Sequence, residues 1–183
     1  MTSKPTTTSI ATFAGGCFWC MQPPFDSAVG VEKTVVGYAG GKEKDPTYEL
    51  VASGKTGYAE AVQVYYDSAK VTYQQLLDIF WRNIDPTQAD GQFADRGPQY
   101  RTGIFFQNEE QRVLAEKSKA ALQASSKFGR PIATEISPAT EFYAAEEYHQ
   151  EYYKKNENHY RLYKVGSGRA GFIERTWKSE EKK

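Results

Sequence analysis

The chain has 183 residues, of which 39% are hydrophobic and 14% aromatic, and its formal net charge is zero. That length suits one domain around a single core, and the neutral balance excludes a partner held by global charge, whether nucleic acid or an anionic membrane. No apolar run approaches the roughly 18 residues that span a membrane, and a lone close cysteine pair is no disulfide scaffold.

Residues 1–8, threonine-rich with Pro5, read as a flexible arm. This start lacks the apolar core of a signal peptide, so the chain is expected in the cytoplasm. Residues 9–14 alternate apolar and polar side chains, which predicts a strand that Gly15-Gly16 breaks. Cys17 then opens the next element. Free backbone N–H groups on a first helical turn favour a thiolate, so Cys17 is expected to titrate below a free thiol. Pro23-Pro24 predicts a kink or restart after a short first turn.

Residues 31–38 predict a second strand, and Asp45-Pro46-Thr47 caps a short helix over 48–53. Residues 58–67 form the most informative periodic segment. One face carries Tyr58, Glu60, Val62, Val64 and Tyr66; the other carries Ala59, Ala61, Gln63 and Tyr65. Residues 73–83 predict a helix with Leu76, Leu77, Phe80 and Trp81 on its core face, ended by Asp85-Pro86. Residues 86–100 read as a long aperiodic loop of the kind that carries function.

A strand over 101–106 follows, then a helix from its Asn108 cap to about 126, then a strand over 132–137. Residues 144–156 predict a helix pairing Tyr148 with Tyr152 and His149 with Tyr153. Gly166-x-Gly168-x-x-Gly171 matches a dinucleotide fingerprint in letters only. No strand–helix–strand unit surrounds it, so it reads as a turn, followed by a short helix ending near Trp177. The chain therefore predicts a single catalytic domain over 1–183, with the arm at 1–8 and a charged tail at 178–183.

Chemistry concentrates at Gly15-Gly16-Cys17-Phe18-Trp19-Cys20, which holds both cysteines. The pair reads as zinc ligands, as an inert buried pair or as a redox pair. Zinc needs two further ligands, and the histidines are His149 and His159 alone. A redox pair fits best, because a second nearby thiol rescues an oxidised first one as a disulfide. Phe18 and Trp19 read equally as core or as an apolar pocket wall beside the nucleophile. Glu60 reads as half of an ion pair or, in line with two valines, as a carboxyl kept protonated by burial and able to donate its proton.

At this point the sequence resembles the peptide methionine sulfoxide reductase A family. The likeness spans roughly 9–160. It rests on Gly16-Cys17-Phe18-Trp19, Gly37-Tyr38-Ala39-Gly40-Gly41 and Tyr48-x-x-Val51-x-Ser53-Gly54-x-Thr56-Gly57. It continues in Ala59-Glu60-Ala61-Val62, Asp85-Pro86-Thr87, Asp95-Arg96-Gly97, Gln99-Tyr100-Arg101 and Ala145-Glu146-Glu147-Tyr148-His149-Gln150. The resemblance implies an α/β (α+β) sandwich, with a mixed β-sheet, flanking helices and a ferredoxin-like core. It implies reduction of the S epimer of methionine sulfoxide, free or in proteins, with no metal or organic cofactor.

By position, Cys17 matches the family nucleophile and Glu60 its acid. Tyr48, Asp95 and Tyr100 match the polar groups around the sulfoxide oxygen. Phe18 and Trp19 match the pocket for the sulfoxide methyl group. Tyr58 replaces a frequent histidine, Ala52 a frequent cysteine, and the tail lacks the resolving cysteines many members carry. Cys20 is the intramolecular candidate left to resolve a Cys17 sulfenic acid as a Cys17–Cys20 disulfide. Thioredoxin or a similar dithiol would recycle it, and a monomer is expected. A general thiol–disulfide oxidoreductase and a non-catalytic, tyrosine-rich peptide-binding module are the competing readings.

Overall fold

A computed structural model describes residues 8–178. The expected arm, apart from Thr8, and the expected charged tail, apart from Lys178, lie outside the described residues. The chain runs through β1 (Thr8–Gly15), α1 (Phe18–Asp26), β2 (Val31–Ala39), α2 (Tyr48–Ala52), β3 (Ala59–Asp67) and α3 (Tyr73–Arg82). Then come a small hairpin of β4 (Gly91–Gln92) and β5 (Asp95–Arg96), β6 (Thr102–Phe106), α4 (Glu109–Ala124), β7 (Glu135–Pro138) and β8 (Tyr143–Ala144). Three helices close the chain: α5 (Tyr152–Lys155), α6 (Glu157–Gly166) and α7 (Arg169–Trp177).

The main sheet has the order β7-β6-β1-β3-β2-β8. The β6–β7 pair is parallel and the others are antiparallel, so the sheet is mixed. Its four central strands, β6-β1-β3-β2, are connected through α1 and α3 as a ferredoxin-like β-α-β-β-α-β unit. The alternation in β3 holds: Tyr58, Glu60, Val62, Val64 and Tyr66 are all buried. Against that face pack Leu76, Leu77, Phe80 and Trp81 of α3, whose start is fixed by a Thr72–Gln75 capping box. Phe13 stacks between Phe25 at 5.1 Å and Phe80 at 5.2 Å, tying β1 to α1 and α3. The opposite face is lined by Ala14, Ala39, Ala59, Ala61 and Phe105.

Three expectations change. The helix after Cys17 does not kink: α1 runs unbroken through Pro23 and Pro24. The two prolines withhold N–H groups only from the carbonyls of Trp19 and Cys20, in the first turn of α1. Burial of Phe18, Met21 and Phe25 outweighs that loss. The 86–100 loop contains the β4–β5 hairpin and a 3-10 turn over Pro98–Tyr100. Residues 144–156 are not one helix. The Gln150 side chain bonds both backbone groups of Val36, at 3.0 and 2.9 Å, and the Ala145 carbonyl at 3.0 Å. Glu151 then turns left-handed at φ 50°, so the tyrosine and histidine side chains do not pair at helical spacing.

Gly16 makes the turn between β1 and α1 with φ +80°, and a Cβ there would sit 2.5 Å from Gln92 Cβ and 2.8 Å from Arg169 Nη2. Gly16→Ala is expected to cost about 1–3 kcal/mol in backbone strain, before any repacking of those neighbours. Thermal unfolding should show a midpoint lowered by roughly 3–10 °C; an unchanged midpoint would mean the turn relaxes freely.

Candidate active site

The Gly15-Gly16 turn delivers Cys17 as the N-cap of α1, and the Cys20 N–H closes the first turn on the Cys17 carbonyl at 3.0 Å. Both thiols are free and buried, with Cys17 6% and Cys20 1% exposed. They lie within hydrogen-bonding reach of each other without any unwinding of the helix. The expected depression of Cys17 is overturned. Burial, the Cys20 thiol and the Glu60 carboxyl hold Cys17 well above the ordinary thiol range. The N–H that should have faced a Cys17 thiolate is taken: Phe18 N–H donates to Glu60 Oε2 at 3.0 Å. Cys20 shifts down instead, chiefly because the Cys17 thiol donates to it.

Glu60 comes from the buried face of β3 and is 3% exposed. Among the described residues it has no lysine or arginine partner. Burial pushes its carboxyl up to about 8, reinforced by the charges of Asp95 and Cys20 and opposed by the Phe18 N–H. It is therefore a protonated acid at neutral pH. Tyr58 leaves Glu60 alone, because its hydroxyl donates to the Glu43 carbonyl.

Two phenols join the carboxyl. Tyr48 starts α2, where its N–H donates to Glu146 Oε1 at 2.9 Å, while Tyr38 Oη donates to the other Glu146 oxygen at 2.8 Å. Burial, with the charges of Glu60 and Cys17, pushes the Tyr48 hydroxyl up to about 12. Tyr100 ends the 3-10 turn and is raised by burial and by Glu60, Tyr48, Asp95 and Cys17. Asp95 is presented by β5 of the hairpin. The predicted Cys17, Cys20, Glu60, Tyr48, Tyr100 and Asp95 thus lie in one electrostatically connected cluster.

Phe18 and Trp19 divide their roles. Phe18 is 1% exposed and belongs to the main core, with its ring 5.1 Å from that of His149. Trp19 stays partly exposed, stacks on Tyr152 at 3.9 Å and donates from Nε1 to His149 Nδ1 at 3.0 Å. His149 is kept neutral by burial. Tyr163 of α6 reaches over Trp19 and donates to Asp95, with its hydroxyl also in reach of the Cys17 thiol.

His149, Glu146, Tyr163 and Arg169 are the site residues that sequence reasoning missed as such. The tyrosine density over 152–163 was the available signal for Tyr163. Among the described residues, no three His, Cys, Asp or Glu side chains gather as a metal site. No helix among them is long and apolar enough to cross a membrane.

Comparison with known proteins agrees with this chemistry. A family model described as peptide methionine sulfoxide reductase matches residues 9–181. Peptide methionine sulfoxide reductase MsrA of Listeria monocytogenes serotype 4a is 57% identical over 168 residues, covering 92% of this chain and 95% of the relative. Reduced Mxr1 of Saccharomyces cerevisiae superposes with a TM-score of 0.78 at 37% identity, over 85% of this chain and 90% of that one. Mxr1 in complex with Trx2 gives a TM-score of 0.58 at 28% identity, over 83% and 89% of the two chains.

Proposed function

The chain belongs to the peptide methionine sulfoxide reductase A family, and on that premise we propose that Cys17 is its nucleophile, Glu60 its proton donor and Cys20 its resolving thiol. Its activity is reduction of the S epimer of methionine sulfoxide to methionine. The observation that carries the assignment of roles is a buried carboxyl, protonated at neutral pH, in the same enclosed cluster as a thiol that has a second thiol one helical turn away. A general thiol–disulfide oxidoreductase is not favoured, since disulfide exchange needs no such acid.

The sulfoxide oxygen faces Glu60, Tyr48 and Tyr100, and the methyl group faces Phe18 and Trp19. Glu60 gives its proton to that oxygen as the Cys17 sulfur attacks the sulfoxide sulfur, and the proton of Cys17 passes back to the Glu60 carboxylate. The two tyrosines hold the oxygen by hydrogen bonds, and Asp95 orients the group around it. The hydroxyl then passes from the methionine sulfur to the Cys17 sulfur as the transient sulfur–sulfur bond breaks, leaving methionine and a Cys17 sulfenic acid. The methionine sulfur is reduced by two electrons and the Cys17 sulfur oxidised by two.

Cys20 thiolate next attacks the Cys17 sulfur. Hydroxide leaves, takes up a proton as water, and the Cys17–Cys20 disulfide forms. The reductant is thioredoxin, whose dithiol becomes the disulfide as both cysteines return to thiols. Mxr1, a neighbour in fold, has been captured with Trx2. Every group invoked comes from one chain, so a monomer with a single catalytic domain suffices. A dithiol that must be regenerated suits the cytoplasm.

One equivalent of methionine S-sulfoxide added to reduced protein should release one methionine and leave the protein lighter by two hydrogens. Peptide mapping should find Cys17 joined to Cys20, and the R epimer should leave the mass unchanged. In Cys20→Ser the single methionine should still appear, while thioredoxin-driven turnover collapses. Unchanged turnover in that variant would remove Cys20 from the resolving role.

A further inference from the structure

We propose that Arg169 is the counterion of the Cys20 thiolate and a positioning residue for the resolving step. The inference rests on the reading of Cys20 as the resolving thiol. Arg169 opens α7, far along the chain from the cysteines, yet it is 1% exposed and heads the largest fully buried side chains. Its guanidinium brackets the cysteine stretch. Nη2 donates to the Gly15 carbonyl at 2.8 Å, and Nη1 donates to Asn83 O at 2.6 Å and approaches Met21 Sδ at 3.5 Å. Phe93 lies under it, 4.8 Å from the ring centroid.

All four of these partners are neutral. Among the described residues Arg169 pairs with no carboxylate. A buried cation without an anion is costly, because its desolvation is not repaid by attraction. Gly15 lies just before Cys17 and Met21 just after Cys20, so the charge sits against the one stretch where an anion is transiently needed. A thiolate at Cys20 compensates the guanidinium, and the guanidinium favours that thiolate.

The groups facing Cys20 agree. Burial alone would raise its thiol, yet it is lowered, first by the Cys17 hydrogen bond and then by Arg169 and Lys164, against the opposing charge of Asp95. Glu60 and Tyr160 also border Cys20; burial raises both, and the Cys20 charge adds to each. The resulting division of labour is chemical. Cys17 keeps its proton until substrate arrives, and the Arg169 charge favours the Cys20 thiolate that attacks the sulfenic acid.

The test follows Cys20 in the Cys17→Ser protein by the carbon-13 shift of its labelled Cβ as a function of pH. With Arg169 present the midpoint should lie below the ordinary thiol value of about 8.5. A midpoint above that value overturns the proposal without any arginine variant. Arg169→Met should raise the midpoint by about one unit or more, a tenfold loss of thiolate below it, and Arg169→Lys should recover most of the shift by restoring the charge. In proteins with both cysteines, the disulfide-forming step should respond in opposite directions with pH. A more basic thiolate is the better nucleophile, with a Brønsted slope of about 0.4–0.5, so Arg169→Met should be about threefold slower below both midpoints and about threefold faster above them. A purely structural defect does not cross over in this way. A disulfide that forms with a pH profile independent of Arg169 overturns this inference alone; a native protein that forms no Cys17–Cys20 disulfide overturns the resolving role beneath it.

Discussion

Cys17→Ser is expected to abolish reduction of methionine S-sulfoxide, a loss on the order of a thousandfold or more in single-turnover methionine release. The reaction deposits an oxygen and withdraws two electrons from the attacking atom. Sulfur accepts both as a sulfenic acid, whereas a serine hydroxyl has no comparable oxidised state. Cys20 cannot take over. It is 1% exposed and lies one turn into α1, while Glu60 is anchored at the helix start by the Phe18 N–H. The variant should remain folded, since a serine hydroxyl fills a smaller volume and still reaches Cys20. Methionine release measured beside a thermal unfolding curve checks both halves. A folded Cys17→Ser protein that still yields methionine would refute the assignment.

Local rules reached the scaffold because the scaffold obeys them. The period of two in β3 put Glu60 on a face that is buried throughout, and its raised carboxyl follows from that placement. Thr47 and Asn108 were legible as caps, and each accepts an N–H three residues on. The failures share another cause: a distant partner decided the local outcome. Core burial kept α1 straight through two prolines. Gln150 satisfied the edge of β2 and ended the helix that 144–156 seemed to spell. The Cys17 thiol was read from its helix terminus, yet the terminus N–H belongs to a glutamate 42 residues away. Tyr163 stood out only by tyrosine density and Arg169 only inside a glycine pattern that reads as a turn, and their contacts with Asp95 and the Gly15 carbonyl exist only in three dimensions.

Glu60→Gln should move rate and stability in opposite directions. The chemical step is expected to slow by roughly 10²–10⁴, because the amide can hydrogen-bond the sulfoxide oxygen but cannot protonate it. Stability follows from the sign of the shift. The folded carboxyl titrates at about 8, raised chiefly by burial, and an unfolded glutamate at about 4.3. Between those values the folded state holds a proton that the unfolded state has released. Glu60 alone therefore takes about 1.4 kcal/mol per pH unit from the native protein's stability as pH rises through that window. Glutamine does not titrate, so Glu60→Gln should lack this slope and gain thermal midpoint on the native protein up to about pH 8, then keep the gain. The native pH–rate profile should fall above about pH 8, where Glu60 loses the proton it must donate, and that limb should vanish in the variant. A retained rate would put the proton donor elsewhere. A reduced rate with parallel unfolding curves would show that Glu60 acts without being held protonated, since burial of a neutral acid and its readiness to donate are one physical fact measured twice.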